Sequence, residues 1–229
     1  MPKIIALIDA DHIVHRAEWK TSFKNSIPKM HEVVSWVLCR TFADDYMMAI
    51  KGTNNFRKEI YPAYKQHRNR SKALEHRLEA LFQHLIDEFG AVRADEQEAD
   101  DLVTQWHYQL SKDEEVLPVI CSVDKDLLTV TGTHYNIKDD EIYHVDPDIS
   151  DYNLSLQLLM GDSTDGIPGL PGVGKVKAAR MLEGVSMAHR RDRVIQAYVD
   201  QFGEDWEREL QLTGDLIFIR HIKDESFVI

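Results

Sequence analysis

Two uninterrupted apolar runs in this chain each end in a pair of acids, and that pattern limits its fold more than any other feature. Lys3 to Asp9 reads Lys-Ile-Ile-Ala-Leu-Ile-Asp with Asp11 two places on, and Leu117 to Cys121 leads into Ser122-Val-Asp-Lys-Asp126. A run of Ile, Leu and Val without alternation has no polar face to turn to water. Each therefore reads as a strand covered on both sides, as in a parallel sheet. Tyr46 to Ile50 reads as another buried strand, and residues 28–43 carry Val33, Val34, Val37, Leu38 and Phe42 at helical spacing. Helices between strands mark βαβ units. The expected class is α/β, a mostly parallel central sheet flanked by helices. Ligands of such sheets gather beyond the carboxyl ends of the strands, where these acids lie. The competing reading makes Asp9 or, more readily, Asp11 a helix N-cap for the segment that follows.

More acids fall into the same pattern. Glu98-Ala-Asp-Asp101 opens an amphipathic helix, with Glu98 and Asp101 on one face and Asp100 beside them. Acids in a first helical turn also favour the helix dipole, which is the competing explanation. Asp162 and Asp165 stand three apart before a turn containing Gly169, Gly172 and Gly174 and a helix start at Lys175 to Lys177. Glycines allow close backbone approach, and a helix N-terminus suits a phosphate; an ordinary acidic loop is the plainer alternative. Carboxylates gathered at one rim repel one another unless cations neutralise them. Oxygen donors without Cys or clustered His favour Mg²⁺ or Mn²⁺ over zinc.

Residues 51–72 change sign. Lys51, Arg57, Lys58, Lys65, Arg68, Arg70 and Lys72 face a single acid, Glu59, and Phe56, Tyr61 and Tyr64 are interleaved. Bases with aromatics suit a nucleic-acid strand, although a solvated cationic surface is the commoner meaning of a charge run. The net charge of −12 argues against such a partner only at first sight. Setting aside nine acids (Asp9, Asp11, Glu98, Asp100, Asp101, Asp124, Asp126, Asp162 and Asp165) leaves 30 of the 39 against 27 bases. The acidity is largely local. Further helices are expected over 72–89, stopped by Gly90, and over 154–160, 175–183, 188–202 and 204–220. No apolar run approaches the roughly 18 residues of a membrane span, and the N-terminus does not read as a signal peptide. Only Cys39 and Cys121 are present. A reducing, cytoplasmic setting is expected.

Taken in order, these blocks resemble the 5′-nuclease family: phage 5′→3′ exonucleases, flap endonucleases and the 5′-nuclease domain of bacterial DNA polymerase I. The resemblance rests on Leu7-Ile-Asp9, Phe56-Arg57, Tyr61-Pro-Ala-Tyr-Lys65-Gln-His-Arg68, Glu98-Ala-Asp-Asp101, Ser122-Val-Asp-Lys-Asp126 and Met160-Gly-Asp-Ser-Thr-Asp165 through Gly174. It covers nearly the whole chain. It implies a PIN-like nuclease core over 1–160, with a short helical arch about 66–90. Residues 161–229 would form a helix–hairpin–helix and C-terminal helices packed on that core as one compact unit. The implied reaction is phosphodiester hydrolysis by two Mg²⁺ ions, with Mn²⁺ as a substitute and a K⁺ at the helix–hairpin–helix. Asp9, Glu98, Asp100, Asp101, Asp124, Asp126, Asp162 and Asp165 would hold the metals. Asp9 and Asp124 are counted among the catalytic groups with Lys65 and Arg68. Arg16, Arg57, Tyr64, Arg70, Gly169, Gly172, Gly174, Lys175 and Lys177 would contact DNA, Tyr64 by stacking on a base.

The implied partner is DNA with a 5′ flap, a free 5′ end, a nick or a gap, or carrying an RNA primer. A monomer acting in a bacterial or phage-infected cell is expected, in replication, repair or primer removal. The chain departs from the family pattern in three places. No acid occurs over Ile50 to Asn55, where the family has an aspartate and where Asp11 could compensate. The arch segment is short, and Val176 stands where a lysine is frequent. The rival expectations are a DNA-structure binder without hydrolysis and a ribonuclease of the related PIN type.

Overall fold

The computed structural model describes residues 2–18, 23–66 and 71–229, and of residues 23 and 24 only the backbone. Among the described residues one sheet holds β1 (Lys3–Asp9), β2 (Asp45–Lys51), β3 (Val92–Ala94), β4 (Val116–Ser122), β5 (Gly132–Asn136) and β6 (Glu141–Val145). Its order is β3-β2-β1-β4-β5-β6, parallel throughout except that β6 runs antiparallel to β5. The helices are α1 (Asp11–Glu18), α2 (Phe23–Thr41), α3 (Phe56–Ile60), α4 (Lys72–Phe89), α5 (Ala99–Leu110), α6 (Pro147–Met160), α7 (Lys175–Leu182), α8 (Met187–Phe202) and α9 (Trp206–Ile217).

The unbroken apolar run of β1 is used on both faces. Ala6 and Ile8 pack with Ile13 and Val14 of α1, Val34 and Val37 of α2, and Leu81 and Phe82 of α4. Ile5 and Leu7 pack on the opposite side with Ala99 and Val103 of α5. The chain steps outward from β1 to β2 to β3, then returns through α5 to lay β4 on the other flank of β1. Strand order therefore reverses between β1 and β4, which opens a crevice at their carboxyl ends.

Several elements differ from expectation. Helix α2 begins five residues before 28 and carries Pro28 inside it. The buried Ser26 hydroxyl donates to the Ala17 carbonyl and Met30 is fully buried, so packing outweighs the N–H that proline lacks. Helix α6 starts at Pro147 because Asp146 caps it, accepting from the Ile149 N–H at 2.8 Å, with proline at the first helical position. The β5–β6 hairpin was not expected from the sequence. Its strands are polar and short, and burial of Tyr135 and Val145 holds them.

The helices after residue 147 build a second apolar core from Leu156, Leu159, Leu182, Val194, Tyr198 and Leu210. Tyr64, which follows α3, packs with Ile167 of the turn after α6 and with Leu216 and Ile217 at the end of α9. The α9 end is fastened more firmly by Arg57. Its guanidinium is 2% exposed and donates to the Leu216 and Phe218 carbonyls and, with two nitrogens, to Asp101 of α5 at 2.6 and 3.0 Å.

Candidate active site

The crevice between β1 and β4 is built by register. Ile8 pairs with Cys121, so Asp9 and Ser122 end adjacent strands side by side. The Ser122 hydroxyl donates to Asp9 Oδ2 at 2.9 Å and accepts from the Asp124 N–H at 3.0 Å. Asp124 in turn caps the short helix Lys125–Thr129, accepting from the Asp126 N–H at 2.9 Å. Asp126 Oδ1 accepts from Gln157 Nε2 of α6 at 2.7 Å. One chain of hydrogen bonds thus runs from β1 across β4 to α6.

Two more segments close on the same place. Glu98 caps α5, with Asp100 in its first turn. The turn after α6 folds back on itself: Asp162 and Ile167 exchange N–H···O bonds of 3.1 and 2.8 Å, which presents Asp162 and Asp165 to the cleft. Gly161 and Gly169 make this fold-back possible. A Cβ on Gly161 would lie 2.4 Å from the Ile167 carbonyl oxygen, and one on Gly169 would lie 2.3 Å from the Gly161 nitrogen. Lys65 enters with a left-handed backbone, φ 53°, and its N–H donates to the Asp165 carbonyl at 2.8 Å. Its ammonium pairs with Glu98 and lies 3.3 Å from Asp165 Oδ2.

Glu98, Asp100, Asp124, Asp126, Asp162 and Asp165 line one cleft with Lys65, and Asp9 and Asp11 line its continuation with Lys65, Glu98, Asp100 and Asp124. Their charges are poorly compensated. Burial, followed by repulsion from Asp11 and Asp124, pushes the Asp9 carboxyl up to about 7. Asp126 is pushed up to about 7 by burial and then by Asp124. Burial, with Asp101 and Glu98 adding to it, lifts Asp100 well above the usual carboxylate range. Asp11 is raised mainly by burial. At Glu98 burial also acts upward, but Lys65 and Arg57 outweigh it and hold the group below its ordinary value. Hard carboxylate oxygens that repel one another in this way fit a divalent cation such as Mg²⁺. Among the described residues, no three acidic, thiol or imidazole groups already stand at ligand spacing. Lys65 and Lys125, the latter 3.7 Å from Asp162, offset part of the charge.

Four expected site residues serve the fold instead. Asp101 is 0% exposed, and its oxygens accept from Arg57 twice, from the Glu98 N–H at 3.0 Å and from the Arg220 N–H at 3.1 Å. Nothing of it faces the cleft, so it is not available to a metal. Its partner Arg57 is equally enclosed and cannot reach DNA. Tyr64 is 2% exposed with its hydroxyl donating to Glu98 at 2.7 Å, so its ring offers no stacking face. Gly169 is consumed by the close approach to Gly161. By contrast, Gly172, Gly174, Lys175 and Lys177 are exposed around the start of α7, and Arg16 is exposed near the end of α1. Arg68 and Arg70 lie outside the described residues. Two contributors escaped the sequence reading. Ser122, the last residue of β4, was visible as a polar residue at a strand end. Gln157, an amide between the leucines at the end of α6, gave no signal of its own.

Residues 4–152 match the family model described as "5′-3′ exonuclease, N-terminal resolvase-like domain". The chain belongs to this family. A 5′-3′ exonuclease of Buchnera aphidicola is 33% identical over 144 residues, covering 56% of this chain and 48% of that protein. The chain spans between 14% and 48% of the length of the curated relatives it matches, among them several bacterial DNA polymerases I. The bacteriophage T5 5′-exonuclease, solved with zinc as the divalent metal, superposes with a TM-score of 0.68 at 19% identity, over 94% of this chain and 87% of that one. A bacteriophage T5 flap endonuclease in a pseudo-enzyme–product complex with DNA and metal ions gives 0.67 at 16%, over 94% and 99%. At such identities the likeness is one of fold. It agrees with the mostly parallel sheet flanked by helices. Among the described residues no helix is long and apolar enough to cross a membrane.

Proposed function

We propose that this chain is a Mg²⁺-dependent, structure-specific 5′ nuclease that hydrolyses phosphodiesters of DNA at free 5′ ends and 5′ flaps. The observation that carries this reading is the convergence of carboxylates from four separate segments on the β1–β4 crevice without enough positive charge to balance them. Family membership supports it, as does the phage T5 enzyme solved with DNA and metal ions.

In this reading Asp9, Glu98, Asp100, Asp124, Asp126, Asp162 and Asp165 hold two divalent ions, Mg²⁺ or Mn²⁺. Bound there, the ions supply an acidified water and stabilise the leaving oxygen. The chain's own groups do the rest. Lys65, whose ammonium already lies among the acids, meets the charge that develops on the phosphate; Arg68 would act with it and Arg70 would contact DNA. Burial keeps the cleft at low dielectric, which strengthens each of these interactions. Gly172, Gly174, Lys175 and Lys177 present backbone N–H groups and two ammoniums at the start of α7 to duplex phosphates, with K⁺ as an additional tie. Arg16 contributes from the rim.

A second reading, DNA-structure binding without hydrolysis, draws on one observation: β2 ends at Lys51 and no acid follows through Asn55. Asp11 offsets it. Its carboxylate accepts from the Lys51 N–H at 2.8 Å, so an acid does stand at the end of β2. A 5′-flap duplex labelled at each end, incubated with Mg²⁺ and then with EDTA, separates the two readings. Metal-dependent release of the flap near the junction is expected. Tight binding with intact strands in Mg²⁺ and in Mn²⁺ would leave the second reading.

A further inference from the structure

Among the described residues, one polar atom in the cleft is left without a partner. Gln157 lies on the last turn of α6, where its carbonyl accepts from the Gly161 N–H at 2.7 Å. Its side-chain nitrogen donates to Asp126 Oδ1 at 2.7 Å. Its Oε1 is buried and has no hydrogen-bond partner among the described residues, although the residue lines the cleft shared by Asp124, Asp126, Asp162 and Asp165. Rotating the amide by half a turn would set that oxygen against the Asp126 carboxylate, two acceptors face to face, so the observed orientation is held. A buried acceptor without a donor is costly and infrequent in native folds. Among the described residues, Lys65 of this cleft is engaged with Glu98 and Asp165, and Lys125 nearby lies 3.7 Å from Asp162. The donor that suits an amide oxygen among carboxylates is a water polarised by a hard cation, since such ions keep several waters when protein ligands are few.

We propose that Gln157 is a positioning residue of the metal site: its nitrogen holds Asp126 in place and its Oε1 accepts from a water on the cation beside Asp126 and Asp162. The inference rests on the nuclease reading above. It follows from the amide at position 157 and not from the acids. Groups that orient a ligand from behind change metal affinity by about 10–100-fold when removed.

Mn²⁺ binding to the DNA-free chain, followed by the electron paramagnetic resonance of free Mn²⁺, tests it without any reaction being run. Gln157→Met keeps the volume and removes both hydrogen-bonding groups; Gln157→Leu does the same with a different shape. Both variants are expected to weaken one of two Mn²⁺ ions by about 10-fold or more, leaving the other unchanged. Their melting temperatures in EDTA should not fall, since the unpaired oxygen is gone. Isotherms identical to the wild type would overturn the proposal. So would a loss of both ions together with a lower melting temperature in EDTA, which is what a purely structural role predicts. A wild-type chain that binds no Mn²⁺ would sink the nuclease reading itself and this inference with it.

Discussion

Asp100 and Asp101 are neighbours in the first turn of α5, Asp100 half-buried and Asp101 fully buried, and they have opposite fates. Asp101 is met by Arg57 and two backbone N–H groups and so closes the junction between α3, α5 and the end of α9. Asp100 faces the cleft, where burial and further carboxylates push its pKa well above the usual range. A buried acid that the chain neutralises with its own arginine is structural. A buried acid surrounded by other acids is stable in its charged form only with a cation from outside. The same contrast separates Arg57, enclosed by protein acceptors, from Lys65, whose ammonium lies among the cleft carboxylates.

The contrast can be broken from either side. The largest effect is expected on activity. Asp124→Asn or Asp162→Asn should lower flap cleavage on the order of 100-fold or more, as for loss of a principal electrostatic group at a transition state. Binding of the same flap in Ca²⁺, measured by fluorescence anisotropy, should change little. Retained cleavage would remove these acids from the site. On the structural side, Arg57→Ala should cost about 3–5 kcal/mol, because it leaves Asp101 charged, buried and unpaired. Urea unfolding reads this directly. The double change Arg57→Met with Asp101→Leu should recover most of that loss.

Smaller effects sharpen the comparison. Saturating Mg²⁺, at about 100 times its dissociation constant, should stabilise the wild-type chain by about 2.7 kcal/mol per site, seen as a higher melting temperature that EDTA reverses. In the α6–α7 turn, Gly169→Ala should destabilise by about 1–3 kcal/mol, since its new methyl meets backbone 2.3 Å away. Gly174→Ala, with open space around it and an ordinary φ of −93°, should change stability by about 1 kcal/mol or less. That pair divides the glycines that shape the turn from those free to meet a phosphate.

Much of this was legible in the sequence. The two-sided burial of β1 and β4 follows from their uninterrupted apolar runs. The helix over 72–89 was readable to the residue, because Gly90 adopts the left-handed conformation at its end, φ 65°. The acids at strand ends pointed to one rim. The polar β5–β6 hairpin was not readable, because its support is tertiary: Tyr135 and Val145 reach a core built by distant segments. Nor does sequence separate Asp100 from Asp101, or Arg57 from Lys65. Each pair looks alike along the chain, and only the return of α9 beneath Arg57 decides which member is consumed by the fold. Tyr64 was misread for the same reason, its hydroxyl being turned inward to Glu98.

The central claim is that the carboxylates crowded in the β1–β4 crevice, which Lys65 and Lys125 balance only in part, constitute a divalent-cation site, while Asp101, neutralised by Arg57, does not belong to it. Asp100→Asn and Asp101→Asn, compared side by side for the rise in melting temperature on adding Mg²⁺, test it most directly. The account predicts that Asp100→Asn melts no lower than the wild type in EDTA and gains less from Mg²⁺. Asp101→Asn should melt lower in EDTA and show the full wild-type gain. The reverse pattern, or the same response from both, would contradict the division between the two acids and with it the assignment of the cleft.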